Sequence, residues 1–86
     1  MGNWQVYILK CSDDSLYTGI TTDVERRVAE HNGLGSKGAR YTRGRRPVEL
    51  IYSETCENRS SASKREASIK QLSRTAKLSL LGEYLG

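Results

Sequence analysis

The chain has 86 residues, of which 36% are hydrophobic and 28% are charged, a composition that suits a globular domain and excludes wholesale disorder. Fourteen Lys and Arg residues against ten Asp and Glu residues leave a net charge of +4, which is consistent with a polyanionic partner. No apolar run could span a membrane, and Cys11 and Cys56 lack the spacing of a zinc site or of a disulfide framework.

The chain begins with a predicted β-hairpin. Apolar and β-branched residues from Trp4 to Lys10 are typical of a strand, and the segment from Leu16 to Ile20 is typical of a second strand. The Cys11–Ser15 segment between them is rich in residues that bond to their own backbone, which favours a turn. Trp4 and the two cysteines are interpreted as packing residues.

The length of the hairpin loop decides on which face of the sheet its two tyrosines lie. Side chains alternate across a strand, so Tyr7 and Tyr17 share a face only in a compatible register. A three-residue loop that pairs Ser12 with Leu16 places both rings on one face, whereas a two-residue Asp13–Asp14 loop separates them unless a bulge intervenes. We expect the loop of odd length.

A first helix is predicted to begin at Thr22. Thr22 and Glu25 form a T-x-x-E pattern, a capping box in which each side chain satisfies an otherwise unpaired backbone N–H. The dipeptide Asn32-Gly33 is a signal that ends a helix. Residues spaced to share one face of this helix are Val24, Val28 and His31.

The second half of the chain predicts one strand and two helices. A glycine-containing loop over residues 33–47 precedes a strand from Val48 to Glu54. Within this strand the side chains alternate as Val48, Leu50 and Tyr52 against Glu49, Ile51 and Ser53. Helices are then expected from about Ser60 to about Arg74 and from about Lys77 to Leu85.

These elements define the predicted architecture. The order β-β-α-β-α-α indicates an α+β fold in which helices flank a three-stranded antiparallel sheet. A chain of this length suits a single domain over residues 1–86. Two free thiols and the lack of an N-terminal signal segment favour the cytoplasm.

Five residues stand in an order and at distances that resemble the GIY-YIG nuclease superfamily. One tyrosine closes the triplet Gln5-Val6-Tyr7 and another opens the triplet Tyr17-Thr18-Gly19, like the two halves of the GIY-YIG signature. An arginine, a histidine and a glutamate follow on predicted helices, namely Arg27, His31 and Glu66. The resemblance covers nearly the whole chain and is nearest to the short, stand-alone bacterial members, whose relatives include DNA-repair and flap nucleases.

The resemblance implies a metal-dependent endonuclease that hydrolyses DNA phosphodiester bonds. Tyr17, with Tyr7 or His31 assisting, would orient or deprotonate the attacking water. Arg27 lies four residues before His31 on one helical face, where its guanidinium can grip a phosphate and the imidazole can relay a proton. Glu66 leans toward the apolar stripe of its helix, where a carboxylate needs a partner such as Mg²⁺, with Mn²⁺ as the alternative.

Each of these residues also has an ordinary structural interpretation. Tyrosines are common in strands for packing reasons alone. Arg27 would then be a surface arginine above a partly buried His31 that ends its helix favourably. Glu66 would form a solvated ion pair with Lys70, one helical turn further on.

The loop before the third strand carries a cluster of basic residues around one tyrosine. Glycines let its backbone approach a ligand closely, basic side chains can contact phosphates, and the tyrosine can stack on a base. The alternative is a solvated basic loop without a ligand. Because the positive charge of the chain is concentrated here, we predict nucleic-acid binding by Lys37, Arg40, Tyr41, Arg43, Arg45 and Arg46.

The sequence also departs from the family pattern. The first triplet is Gln-Val-Tyr rather than Gly-Ile-Tyr, and Ile20 follows Gly19 where some relatives carry a lysine. No asparagine follows Glu66, although some relatives use one there. The alternative functions are therefore a nucleic-acid-binding module without catalysis and, ranked last, a protein-interaction domain. DNA, branched or single-stranded, is the expected partner, and RNA or a protein partner stays open.

Overall fold

The computed structural model describes residues 3–33 and 44–85, with side chains as far as residue 80. Within these ranges the elements are β1 (Trp4–Lys10), β2 (Leu16–Thr21), α1 (Val24–His31), β3 (Glu49–Cys56), α2 (Arg59–Lys70) and α3 (Arg74–Leu85). The predicted order β-β-α-β-α-α and the predicted antiparallel α+β architecture are confirmed. No helix within the described ranges has the length and apolar character needed to cross a bilayer.

The first strand lies in the middle of the sheet. The strand order is β2-β1-β3, and β1 pairs antiparallel with both neighbours. In the β1–β2 ladder Tyr7 stands opposite Gly19, and Leu9 stands opposite Tyr17. Partners in this ladder therefore have the same parity, and because side chains alternate along a strand, Tyr7 and Tyr17 lie on one face.

The hairpin turn confirms the predicted odd loop length but corrects the predicted pairing. Leu16 pairs with Lys10 and not with Ser12, a difference of two residues that leaves every side chain on its expected face. The Asp14 N–H donates to the Cys11 carbonyl at 2.9 Å, and Asp14 has a positive φ of 66°. A tight turn followed by a left-handed residue is a common three-residue hairpin loop, and aspartate tolerates that conformation better than most side chains.

A bulge in β3 makes the predicted alternation of this strand wrong. Tyr52 stands opposite Ile8 and Leu50 stands opposite Leu9, so Ile51 is an extra residue between them. The side chain of Val48 consequently packs in one layer of the core while Tyr52 packs in the other. A sequence pattern with a period of two does not reveal an inserted residue, and so the prediction placed both on one face.

The helix ends are set by caps other than those predicted. Asp23 rather than Thr22 caps α1, because its carboxylate accepts the Arg26 N–H at 3.1 Å. Asn58 caps α2 in the same way through the Ser61 N–H, so this helix begins one residue earlier than expected and ends at Lys70 rather than Arg74. The predicted end of α1 at Asn32-Gly33 agrees with the helix ending at His31.

The two faces of the sheet carry cores of different character. One face packs against α2 and forms an apolar layer. The buried residues of this layer are Val6, Ile8, Tyr52, Ala62 and Ile69. The other face forms what we call the phenol layer, whose buried residues are Tyr7, Leu9, Cys11, Val24 and Val48, with Tyr17 and Val28 packed against them. Because successive side chains of β1 point to opposite faces, this single central strand supplies both layers.

Candidate active site

A glycine makes room for the first tyrosine. Tyr7 is 1% exposed, and a Cβ atom added to Gly19 on the neighbouring strand would lie 2.5 Å from the Tyr7 hydroxyl oxygen. No side chain fits at that separation, so the phenol crosses β2 only because residue 19 is glycine. Gly19 was predicted as part of the signature triplet, but no role was predicted for it. The signal that could have revealed its role is that Tyr7 stands directly opposite it in the β1–β2 ladder.

The Tyr7 hydroxyl is held by the only histidine of the chain. It lies 2.9 Å from Nε2 of His31, a side chain with no exposed surface. Burial, followed by the positive charge of Arg27, lowers the pKa of His31 to about 4, so the imidazole is neutral at pH 7. Burial, followed by Tyr17, raises the pKa of Tyr7 to about 12, so the phenol keeps its proton. The Tyr7 hydroxyl and the imidazole are therefore joined by a hydrogen bond between two uncharged groups.

Arg27 completes this network from the same helix as His31. Its guanidinium donates to the Tyr7 oxygen and to the Glu30 carboxylate, the latter at 3.0 Å. The arginine side chain is 25% exposed, so part of the guanidinium faces solvent. Because the Tyr7 oxygen interacts with both Arg27 and His31, the three groups are fixed relative to one another.

Tyr17 joins the cluster through its ring. The ring centre lies 5.1 Å from that of His31 and 6.4 Å from that of Tyr7, both within the range of edge-on and tilted aromatic contacts. Tyr17 is partly exposed, in contrast to the buried Tyr7. Four of the five residues singled out from the sequence are thus brought together in the phenol layer, and Tyr17 is the phenol that reaches solvent.

The fifth residue, Glu66, lies on the helix that packs against the opposite face. Its neighbours one turn away on either side, Ala62 and Ile69, are fully buried in the apolar layer, and the Glu66 side chain is 24% exposed. The ion pair with Lys70 that was the alternative interpretation is formed, at 3.3 Å. The Glu66 carboxylate makes the smallest contribution to the pKa of Tyr7, which it raises, after burial, Tyr17 and Arg27.

The donor groups available to a divalent ion are few. Within the described parts of the chain, no three His, Cys, Asp or Glu side chains are grouped closely enough to form a protein cage. The carboxylate of Glu66 is partly buried, and its ion-pair partner Lys70 is 53% exposed. The Glu66 oxygens can therefore still serve as metal ligands. Mg²⁺ is commonly held by one or two carboxylates, water and substrate phosphates, and Glu66 fits that arrangement as the protein ligand.

The end of the basic loop is anchored to the rest of the protein. The Arg45 Nε donates to the Asp13 carboxylate at 3.1 Å, and the Arg46 Nε donates to the His31 carbonyl at 2.8 Å. These two arginines therefore connect the loop to the hairpin turn and to the end of α1. The other residues predicted to bind nucleic acid, namely Lys37, Arg40, Tyr41 and Arg43, lie outside the described residues.

A cleft opens next to Arg27 at the end of β2. It has a volume of about 460 Å³ and is lined by Trp4, Ile20, Thr21, Thr22, Arg26, Arg27 and Glu30. Trp4 was predicted to be a packing residue, and no role was predicted for Arg26. Neither residue belongs to a motif, so only their proximity across the sheet edge reveals the cleft.

Comparison with known proteins gives concordant results. A model of the GIY-YIG catalytic domain matches residues 3–79. The UPF0213 protein of Desulfotalea psychrophila is 63% identical over 91% of this chain and 70% of its own length, and that of Staphylococcus haemolyticus is 52% identical over 96% and 99%. The solution NMR structure of protein EF2693 from E. faecalis is 43% identical, with a TM-score of 0.62 over 98% of this chain and 91% of its own.

Proposed function

This chain belongs to the family of GIY-YIG catalytic domains, and from that premise we propose that it is a metal-dependent endonuclease that hydrolyses phosphodiester bonds of DNA. The observation that carries the proposal is the cluster formed by Tyr7, Tyr17, Arg27 and His31 on one face of the sheet. A buried network of a phenol, an imidazole and a guanidinium is costly to assemble unless each polar group is satisfied, and it holds a solvent-facing phenol beside it.

The two tyrosines have different roles in this proposal. Tyr17 is partly exposed whereas Tyr7 is buried, so Tyr17 is the phenol that would accept a proton from water. Tyr7 keeps its proton and is hydrogen-bonded to His31, which makes it a positioning residue rather than a base. His31 is likewise a positioning residue, because its buried Nε2 atom is occupied by Tyr7.

Arg27 is proposed to bind the scissile phosphate. Its guanidinium is held in place by Tyr7 and Glu30, and its partly exposed end can donate to a phosphate oxygen. A fixed positive charge of this kind offsets the negative charge that develops during the displacement, at no cost of reorganisation. Attack by the water oxygen on phosphorus then breaks the bond to the leaving oxygen, which departs with the bonding electron pair and is protonated from solvent. Tyr17, acting as the phenolate, takes the proton of the attacking water.

Glu66 is proposed as the protein ligand of a divalent ion. When bound, such an ion supplies a Lewis acid for a phosphoryl oxygen and charge stabilisation for the leaving group. The role of Glu66 itself would be to hold that ion through its carboxylate oxygens.

The experiment is a cleavage assay with purified protein, Mg²⁺ or Mn²⁺, and labelled branched, nicked and single-stranded DNA. The wild type should cut at least one of these substrates, and EDTA should abolish cutting. Tyr17→Phe and Glu66→Gln should each lower the rate by roughly a hundredfold or more, the scale of a lost base or metal ligand. Both variants should keep their affinity for DNA, because neither change removes a positive charge.

Two matched substitutions control for general damage. Tyr52→Phe removes a phenol oxygen from the apolar layer, and Glu57→Gln removes an exposed carboxylate at the start of α2. Both should cut like the wild type. Equal cutting by the wild type and the Tyr17 and Glu66 variants would show contamination and refute the enzyme. Salt-sensitive binding without any metal-dependent product would favour the alternative, a binding module of the same fold.

A further inference from the structure

The cleft beside Arg27 combines an aromatic wall with positive charge. The indole of Trp4 forms part of one side, at the start of β1, and Arg26 and Arg27 line it from the first turn of α1. Trp4 packs on the apolar layer but stays partly exposed. An aromatic ring next to guanidinium groups is the arrangement by which proteins stack a base and hold its phosphate.

The position of Arg26 does not stabilise the helix that carries it. It lies in the first turn of α1, at the positive end of the helix dipole, where a cation is unfavourable. Its side chain makes no hydrogen bond or ion pair with the part of the chain that the structure describes, because Glu30 pairs with Arg27. The guanidinium of Arg26 is exposed and available to an anion entering the cleft.

A second arginine supports the indole. Arg59 is the first residue of α2, again at the positive end of a helix, and its guanidinium carbon lies 5.7 Å from the centre of the Trp4 ring. A cation over the ring face holds the indole in place and adds positive potential to this edge of the sheet. Trp4 thus has Arg59 over its ring and shares the cleft with Arg26 and Arg27.

We propose that this cleft binds an unpaired nucleotide next to the phosphate at Arg27, with its base stacked on Trp4 and its own phosphate contacting Arg26. The inference rests on the proposed function and names the substrate class, which is DNA with a single-stranded segment at the cut. Bases inside a duplex are stacked on each other, so only a single-stranded, flapped or frayed nucleotide can offer its face to the indole.

The binding is measured without metal, so that no cleavage occurs. Trp4 is the only tryptophan of the chain, and its fluorescence reports on stacking directly. Titration with a twelve-nucleotide thymidine oligomer in EDTA should quench the emission, whereas an abasic oligomer of equal length and charge should quench it much less. Unchanged Trp4 emission while a labelled thymidine oligomer binds, as judged by anisotropy, would overturn the inference, as would no binding at low salt.

Substitutions separate stacking from charge. Trp4→Leu should weaken thymidine-oligomer binding roughly five- to a hundredfold and leave abasic-oligomer binding nearly unchanged. Trp4→Phe, which keeps an aromatic ring, should lose less affinity for the thymidine oligomer. Arg26→Gln should weaken both oligomers alike and lower the salt dependence by about one phosphate contact. Lys64→Gln, which removes an equal charge from the exposed side of α2, should do neither. Equal losses for both oligomers in Trp4→Leu would refute stacking.

The outcome is separable from that of the proposed function. If Trp4→Leu cleaves and binds DNA like the wild type, the proposed activity stands and the nucleotide subsite is refuted. If the thymidine oligomer quenches the Trp4 emission but the protein never cuts DNA, the subsite stands and the proposed activity is refuted. Circular dichroism of Trp4→Leu checks that the fold survives, and the wild-type quenching experiment needs no substitution.

Discussion

The two layers of this small protein use the same central strand for opposite purposes. On the α2 side, Val6 and Ile8 bury their side chains among apolar neighbours. On the α1 side, Tyr7 buries a hydroxyl that is bonded to an imidazole and a guanidinium. The free energy of the apolar layer scales with the area removed from water, whereas that of the phenol layer depends on each polar group having its partner.

This difference predicts how each layer fails. An apolar layer loses stability in proportion to the volume that is removed from it, and the chemistry on the other face is affected only through the stability of the fold. A hydrogen-bonded layer loses less stability but also loses the geometry of its groups.

The largest effect is expected from Ile8→Ala in the apolar layer. Ile8 has no exposed surface, so the truncation leaves a cavity and should lower the free energy of unfolding by about 2–5 kcal/mol. Urea denaturation measures the loss. Leu78→Ala, the same kind of truncation at a residue that is 41% exposed, should change stability by no more than about 0.5 kcal/mol. Similar losses in both variants would contradict the layer assignment.

The phenol layer should make stability depend on pH through His31. Its pKa is about 4 in the folded protein and ordinarily 6.5, so the unfolded chain binds a proton first as the pH falls. Stability should therefore decrease from about pH 6.5 to about pH 4, by at most about 3 kcal/mol. Urea denaturation of the wild type and of His31→Gln at several pH values isolates this contribution. An unchanged slope in the variant would mean that His31 is not buried in its neutral form.

Gly19→Ala should disrupt the phenol layer by steric conflict. The added methyl group would lie 2.5 Å from the Tyr7 oxygen and 2.7 Å from its Cζ atom, so the ring must move away from His31. Overpacking of this kind should lower the free energy of unfolding by about 1–3 kcal/mol. Gly44→Ala is the matched control, because no atom of the described residues lies within 4 Å of an added Cβ there. Thermal unfolding of both variants gives the comparison, and equal melting temperatures would be incompatible with the Tyr7 placement.

The smallest effect has the opposite sign. Thr18, between Tyr17 and Gly19, buries a hydroxyl oxygen that finds no hydrogen-bond partner among the described residues. Thr18→Val should stabilise the protein by up to about 1 kcal/mol, because the unsatisfied group is replaced by a methyl of similar size. Thr21→Val should destabilise it by a similar amount, since the Thr21 hydroxyl accepts the Asp23 N–H at 3.1 Å. A chemical denaturation series can resolve two shifts of opposite direction.

Much of the local structure follows from signals that act over a few residues. Turn residues between two β-branched runs define the hairpin, and an odd loop length is enough to place Tyr7 and Tyr17 on one face. Four-residue spacing is enough to place Arg27 and His31 on one side of a helix. The family resemblance added Glu66, but the layer in which it lies is not encoded in a motif.

The amino-acid sequence by itself therefore determined the order of elements, the shared face of the tyrosines and the family of the chain. Only the tertiary structure decided that Asp23 caps α1, that a bulge at Ile51 divides β3 between layers, and that Trp4 meets Arg26 across a cleft. The difference lies in how far apart along the chain the interacting residues are. Propensity and periodicity act between near neighbours, whereas register, helix docking and clefts depend on contacts between segments far apart in the chain.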